Sequence, residues 1–403
     1  MTSLPIASGT IILVCLALLV SPMISDAAEL SLASSKSMDY GVTEYQIRLE
    51  GEIKDGDSRK VEGFLREKKI DQGSFYADRA VISLSSVGGS YMEGLKLAHL
   101  FQEKGVQTLV KGGDTCASAC AIAFLGGTLV GEEEVSMTAR TLEIGGILAF
   151  HAPYLNLSEG HFDKAMVETA WDAAVLTIAN LIEESAKLRL NTSLLPIILK
   201  EGRDSALVLK TVSDLGRFRV STHTETRPRK FTPTMAFNLC WNGSSNYGTS
   251  DYESNLAQFR KTRPVSFNIN TGYYGPQLRS VLRTVMQTDE GGEGSPIYCV
   301  VDTLEMEGHL RASCRGTFNA GSISEARKIA ERLDQNGNYT LEEPCDTSLG
   351  LDVLKGYERS MSETDWVAVV PPNTPISLIG KALEFYEKTE QPITTNSPSR
   401  SSK

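Results

Sequence analysis

The stretch AVISLSSVGGSYMEGLKLAHLFQEKGVQTLVKGGDTCASACAIAFL, residues 80–125, decides the fold. Its first six residues form a short apolar, β-branched run of buried-strand type, which stops at Val87, Gly88 and Gly89. From Ser90 the apolar positions Met92, Leu95, Leu97, Ala98 and Phe101 suit a helix, and Gly105 ends it. Residues 106–110 are strand-like again, the Gly112-Gly113 pair makes a turn, and an apolar stretch runs over 117–125. Alternation of this kind predicts a parallel sheet built from βαβ units. Inside the stretch, DTCASAC (114–120) sets Ser118 between Cys116 and Cys120. Ser118 is either a nucleophile held in a turn or an ordinary small residue in a packed helix.

The same rhythm extends both ways. Upstream, Tyr45, Ile47 and Leu49 alternate as a strand reaching 51–53, and Val61, Phe64 and Leu65 take helical spacing. Downstream, 147–150 is a short strand ending at His151. A long helix then covers about 160–189, with Phe162, Met166, Ala170, Ala173, Leu176, Leu181 and Ile182 near a 3.6-residue period. Residues 193–220 read as a shorter helix and a closing strand. The polar, basic, proline-punctuated segment 223–233 reads as a linker.

Beyond it the composition shifts to aromatics, glycines and cysteines. Residues 297–304 and 310–318 predict a hairpin with Cys299 and Cys314 on facing strands, 324–334 a helix, and 366–370 a late strand. The expected organisation is therefore an α/β domain over 40–222, the linker, a smaller α+β domain over 234–389, and a disordered tail over 390–403 that lacks any apolar face.

The chain has 403 residues, 41% of them hydrophobic and 22% charged, enough for a substantial core and about two domains. Its formal net charge of −10 argues against nucleic acid, whose phosphates an acidic surface repels. The N-terminus carries an apolar run over 11–20, too short for a spanning helix, followed by small residues near Ala27 and Ala28. Residues 1–28 read as an export signal, so the protein is expected to be periplasmic or otherwise exported. No Lys or Arg precedes the run, which leaves an uncleaved anchor as the alternative and the only route to a membrane. Bulky Val14 before Cys15 disfavours lipid attachment.

Export implies an oxidising compartment. Of the seven cysteines, six lie outside the signal and admit full pairing without specifying it. A Cys116–Cys120 bridge is compatible with the advance of four helical residues, about 6 Å, only if the turn is distorted. Two buried thiols are the other reading.

Acyl transfer needs a nucleophile, a base and N–H donors aimed where negative charge develops. Ser118, at the start of an apolar helix, and the unpaired N–H groups of that helix's first turn meet the first and third needs. Gly88 and Gly89 end one strand and let backbone approach a substrate carbonyl, while His151 ends another. Carboxyl ends of strands in open α/β sheets share one crevice, so these groups should converge.

The 49–53 strand, the Ser85-Ser-Val-Gly-Gly89 turn with its helix, Cys116-Ala-Ser-Ala-Cys120 and Phe150-His151-Ala-Pro153 resemble the Clp protease proteolytic subunit and crotonase superfamily, especially exported Clp-like members. The resemblance covers roughly 43–220. It implies a ββα spiral domain, a serine peptidase-like activity on peptide or protein with no cofactor or metal, and a ring-type homo-oligomer. Ser118 would be nucleophile, His151 general base, and the N–H groups of Gly89 and Ala119 the oxyanion hole, with Gly88 shaping it. Val87 stands where the family usually has proline. The acid would come from 199–209, where Asp204 is the choice and Glu201 the alternative. Loss of that acid would leave a non-catalytic binding or assembly protein.

Other chemistries fit less well. Backbone N–H groups holding a thioester enolate would suit a crotonase, but an exported protein rarely meets coenzyme A thioesters. No G-x-S-x-G elbow surrounds Ser118. A serine–lysine dyad through Lys111 or Lys96 would leave His151 without a role. Residues 334–345 look like a calcium loop but carry Tyr339 and Cys345 where glycine and glutamate are needed. His99 and His161 are expected on helical surfaces and His223 and His309 in loops, all without a partner.

Overall fold

The computed structural model describes residues 27–38, 41–70, 76–130, 136–154, 160–202, 205–243, 252–271, 279–289, 295–306, 309–333 and 366–394. The signal segment up to residue 26, Asp204, the 334–345 loop with Cys345, and the tail from 395 lie outside them. The architecture is mixed α/β.

Its first half contains β1 (Glu29–Ser37), β2 (Thr43–Glu50), α1 (Asp57–Glu67), β3 (Arg79–Ser85), α2 (Tyr91–Glu103), β4 (Gln107–Val110), β5 (Thr115–Ala117), α3 (Ala119–Phe124), β6 (Thr128–Val130), β7 (Ser136–Thr138), β8 (Arg140–Leu142) and β9 (Ile147–Phe150). There follow α4 (Lys164–Lys187), α5 (Leu195–Lys200), β10 (Leu207–Val208) and α6 (Val212–Phe218). The main sheet runs β1-β2-β3-β4-β8, parallel from β2 to β8, with β1 antiparallel on its edge. The β-branched, apolar strands β3 and β4 lie inside it, as expected of strands covered on both faces. A second small sheet, β10-β9-β5, pairs β5 with β9 in parallel. Helices α1 and α2 are the crossovers, and α2 packs on α3 through a buried face that includes Leu95, Leu97, Ala98 and Phe101. Burial of each such side chain contributes about 1.5–3 kcal/mol, which holds the sheet ends in place.

The second half contains α7 (Pro233–Gly243), α8 (Tyr252–Lys261), β11 (Val265–Thr271), β12 (Arg279–Asp289), β13 (Ile297–Met306), β14 (His309–Asn319), α9 (Ile323–Arg332) and α10 (Ile379–Thr389). Strands β11 to β14 form an antiparallel meander in sequence order. The predicted hairpin is present, with Val301 opposite Cys314, and Cys299 is bonded to Cys240 of α7. One apolar cluster contains residues from both halves, including Leu215, Phe218, Phe237, Cys299 and Leu383.

Several expectations are corrected. Residues Trp366–Val369 form a 3₁₀ turn, not a strand; all four are buried, so their run had no periodicity to separate the two. His309 begins β14 rather than lying in a loop, and His161 precedes α4 without joining a helix. The 390–394 part of the tail is ordered. Thr234, near the start of α7, donates through its N–H and its hydroxyl to the Glu390 carboxylate, and Ile393 N–H donates to Phe231 O at 2.9 Å. The segment 223–232 has no regular structure, and Arg229 N–H donates to Glu387 of α10.

Candidate active site

Strand ends bring the site together through a backbone zipper. Beyond β3, Ser86 N–H donates to Thr115 O at 2.7 Å and Ser86 O accepts from Ala117 N–H at 3.0 Å, tying that strand to β5. Ser118 N–H then donates to Ala149 O of β9 at 3.0 Å. Consequently Gly88, Gly89, Ser118, Ala119 and His151 line one cavity of about 500 Å³. Ile122, Phe150, Leu181, Leu190 and Ile198 give it an apolar wall.

Ser118 is the N-cap of α3 with φ 56° and ψ −122°, a left-handed conformation in a residue that is not glycine. Such backbone costs on the order of 1–3 kcal/mol and persists only where its surroundings impose it, most often at functional sites. Here the surroundings are covalent as well as packed. The Cys116–Cys120 disulfide, with Cα atoms 5.2 Å apart, brackets the turn, and both cysteines are fully buried. The distortion that the bridge demands is met because β5 ends and α3 begins between the two residues.

Gly88 has φ 117°, and a Cβ there would fall 2.6 Å from Ser118 Cβ, so only glycine permits this approach. Its carbonyl accepts from Ile53 N–H at 2.8 Å. In a trans peptide the next N–H points the opposite way, so Gly89 N–H is directed away from Ile53. Among the described residues neither this N–H nor that of Ala119, the first residue of α3, has a hydrogen-bond partner. Two donors beside a strained serine hydroxyl are the elements of an oxyanion hole.

His151 Nδ1 lies 2.9 Å from Ala152 O. A carbonyl only accepts, so Nδ1 is the donor in this contact, and in the neutral ring Nε2 then carries the lone pair that a general base requires. The ring also meets Tyr154 at 5.3 Å between centroids. No hydrogen bond joins the ring to Ser118, although both face the cavity. Of the acid candidates, Glu201 contributes its backbone: its carbonyl accepts from Ala152 N–H at 3.0 Å. Asp204 lies outside the described residues. The carbonyl of Ala152 thus fills the orienting position at Nδ1 that a carboxylate takes in a triad.

Sequence reasoning missed three contributors. Tyr91 lines the cavity with a hydroxyl that is buried and, among the described residues, unpartnered; burial, reinforced by the Glu184 charge, pushes it up to about 12. Tyr154 joins the rim. His99, expected to be alone, pairs through Nε2 with Glu184 of α4 at 2.6 Å, which pins the root of α4 to α2. Nothing local in the sequence marks these residues, since their partners are distant in the chain.

The approach to Ser118 is anchored by Asp114, which accepts from Arg48 Nη1 at 2.8 Å and Nη2 at 3.0 Å. Those hydrogen bonds from Arg48 hold the Asp114 carboxyl below its usual range. A depressed carboxyl adds stability that is complete above its unfolded value, about 3.9, and is lost as pH falls through the lower folded value. The thermal midpoint should therefore fall steeply below about pH 4, and Asp114→Asn should lower it at neutral pH while flattening that acid slope. A melting series from pH 7 to acid on both proteins checks this; parallel curves would refute it.

Comparison with protein-family models and with curated proteins finds no match.

Proposed function

We propose that the protein is an exported serine hydrolase of peptidase-like type, with a Clp/crotonase-like spiral domain carrying the site. Ser118 Oγ attacks a carbonyl carbon, His151 Nε2 takes its proton and later delivers it to the leaving group, and the N–H groups of Gly89 and Ala119 hold the oxyanion. Asp204, or Glu201 in its place, is the candidate acid. The observation that carries the reading is Ser118 itself: a strained, stapled serine beside two N–H donors without partners among the described residues, in one cavity with a histidine whose Nδ1 meets a carbonyl. Such hydrogen bonds are often loose without substrate, which accommodates the missing Ser118–His151 bond. The assigned steps use no cofactor or metal. The Cys116–Cys120 and Cys240–Cys299 disulfides, which persist in oxidising surroundings, support export.

A fluorophosphonate probe tests the reading. Incubation should give one adduct per chain, and peptide mapping should place it on Ser118; an unmodified chain, or an adduct elsewhere, would reject it. The second reading, a non-catalytic binding protein, is favoured by the carbonyl rather than carboxylate at His151 Nδ1. It predicts an unmodified chain whose ligand binding ignores Ser118→Ala.

A homo-oligomer is part of the proposal. Helix α4 is long and apolar enough to cross a membrane by length and composition, yet only 6% of its most apolar window is buried. Trp171, Val175, Leu176 and Ile182 are exposed on it. Glu168 and Asp172 on the same helix, and the net charge of −10, oppose a lipid surface and favour a second copy of the chain. Trp171→Glu with Leu176→Glu should shift the protein from an oligomer to a monomer in analytical ultracentrifugation; an unchanged sedimentation coefficient would remove this element.

A further inference from the structure

We propose that closure of the Cys116–Cys120 disulfide is the step that makes Ser118 competent, so that the chain is inert while these thiols are reduced and becomes reactive on oxidation. The inference rests on the hydrolase reading above.

The bond joins β5 to the first turn of α3 and encloses only the turn that contains Ser118. Two functions share that turn, the Ser118 hydroxyl and the Ala119 N–H. A backbone change at Ser118 therefore displaces nucleophile and oxyanion donor together. Helix α3 has six residues, well short of a length that is stable by itself. Besides the disulfide, the turn is held by Ala117 N–H to Ser86 O, by Ser118 N–H to Ala149 O, by Ile122 N–H to Ser118 O at 3.1 Å, and by contact with Gly88. Against the negative φ that a non-glycine residue prefers, the disulfide is the covalent tie between the two flanks of residue 118.

Burial gives the device a direction. With both cysteines fully buried, a reductant reaches the closed bond only through local opening, so oxidation fixes the site rather than cycling it. In the closing reaction one cysteine thiolate attacks a donor disulfide and releases a donor thiolate. The second cysteine thiolate then attacks the mixed disulfide and releases the other. The two chain thiols are oxidised to one disulfide, the donor disulfide is reduced to two thiols, and two protons pass from the former to the latter. A thiol–disulfide oxidoreductase, or oxidised glutathione in vitro, is the co-reactant. A chain held in a reducing compartment would carry the fold without the activity.

The test uses the full chain purified under dithiothreitol, then reoxidised with oxidised glutathione, with Cys240→Ala/Cys299→Ala as a parallel background. Fluorophosphonate labelling is timed while peptide mass follows each disulfide. The reduced, folded chain should label at least about tenfold more slowly, the scale of a misplaced reacting group. Its rate should recover in step with closure of 116–120, and Cys116→Ala/Cys120→Ala should stay slow under oxidant. Equal labelling of reduced and oxidised chain overturns the inference and leaves the hydrolase reading intact. So does recovery that follows only the Cys240–Cys299 bond, or slow labelling that merely accompanies loss of far-ultraviolet circular dichroism. Absence of labelling in every form overturns the hydrolase reading and this inference with it.

Discussion

A chain carrying Ser118→Ala is expected to take up no fluorophosphonate and to lose hydrolysis of a responsive ester or peptide by about 10⁶-fold, the scale of nucleophile removal in serine hydrolases. The effect should be confined to chemistry. Among the described residues Ser118 makes only backbone hydrogen bonds, and these and the Cys116–Cys120 bond are untouched by the change. Alanine is no worse than serine at φ 56°, so the thermal midpoint should move little. The companion change Gly88→Ala acts by displacement. Its Cβ would meet Ser118 Cβ at 2.6 Å and Ala117 O at 3.0 Å, so serine or loop must shift, and the rate should fall by about 10²–10³. Steady-state rates and melting curves on the two variants separate the cases. A Gly88→Ala protein with the wild-type rate would mean that the close approach has no catalytic consequence.

The largest stability loss is expected from Arg140→Leu. Arg140 is buried in β8 with no carboxylate beside it among the described residues, and burial, with Arg189 and Arg219 adding repulsion, pushes its guanidinium down to about 9. It donates instead to the carbonyls of Leu125, Leu188 and Phe218. These are the C-terminal ends of α3, α4 and α6, where helix carbonyls lack partners and the dipole favours a cation. Three negative helix ends converge on one charge and stabilise it. Leucine would leave those carbonyls buried and unbonded. A loss of about 3–5 kcal/mol is expected, as for removal of one partner from a buried charged network. At this chain size that lowers the thermal midpoint by on the order of 10 °C. Arg140→Lys should recover part of it. A variant melting with the wild type would show that the network is dispensable.

The first half of the chain was legible where strands are short, apolar and stopped by glycine. Residues 80–85 and 147–150 fall on β3 and β9 within a residue. Strand β1 was not legible, because its edge position leaves nearly every residue exposed and erases the alternation that a half-buried strand shows. Helices α7 and α10 were missed for opposite reasons. All but the first residue of α7 is buried and apolar positions show no stripe, while α10 lies just before the polar segment from 390 that reads as a tail. At the site, Ser118, His151 and the glycine pair could be read because strand ends converge in this type of sheet. The tyrosines, the His99–Glu184 pair and Arg140 could not, because each depends on a partner brought near only by folding. The acid is the least legible member. It falls in an irregular segment, where neither periodicity nor a cap fixes which side chain faces inward.

The most direct measurement is a crystal structure of the phosphonylated protein. The account predicts a bond from Ser118 Oγ to phosphorus, with the phosphonyl oxygen about 2.7–3.1 Å from the N–H groups of both Gly89 and Ala119 and the His151 ring turned toward Oγ. A phosphonyl oxygen directed to solvent, with both amides left unused, would contradict it.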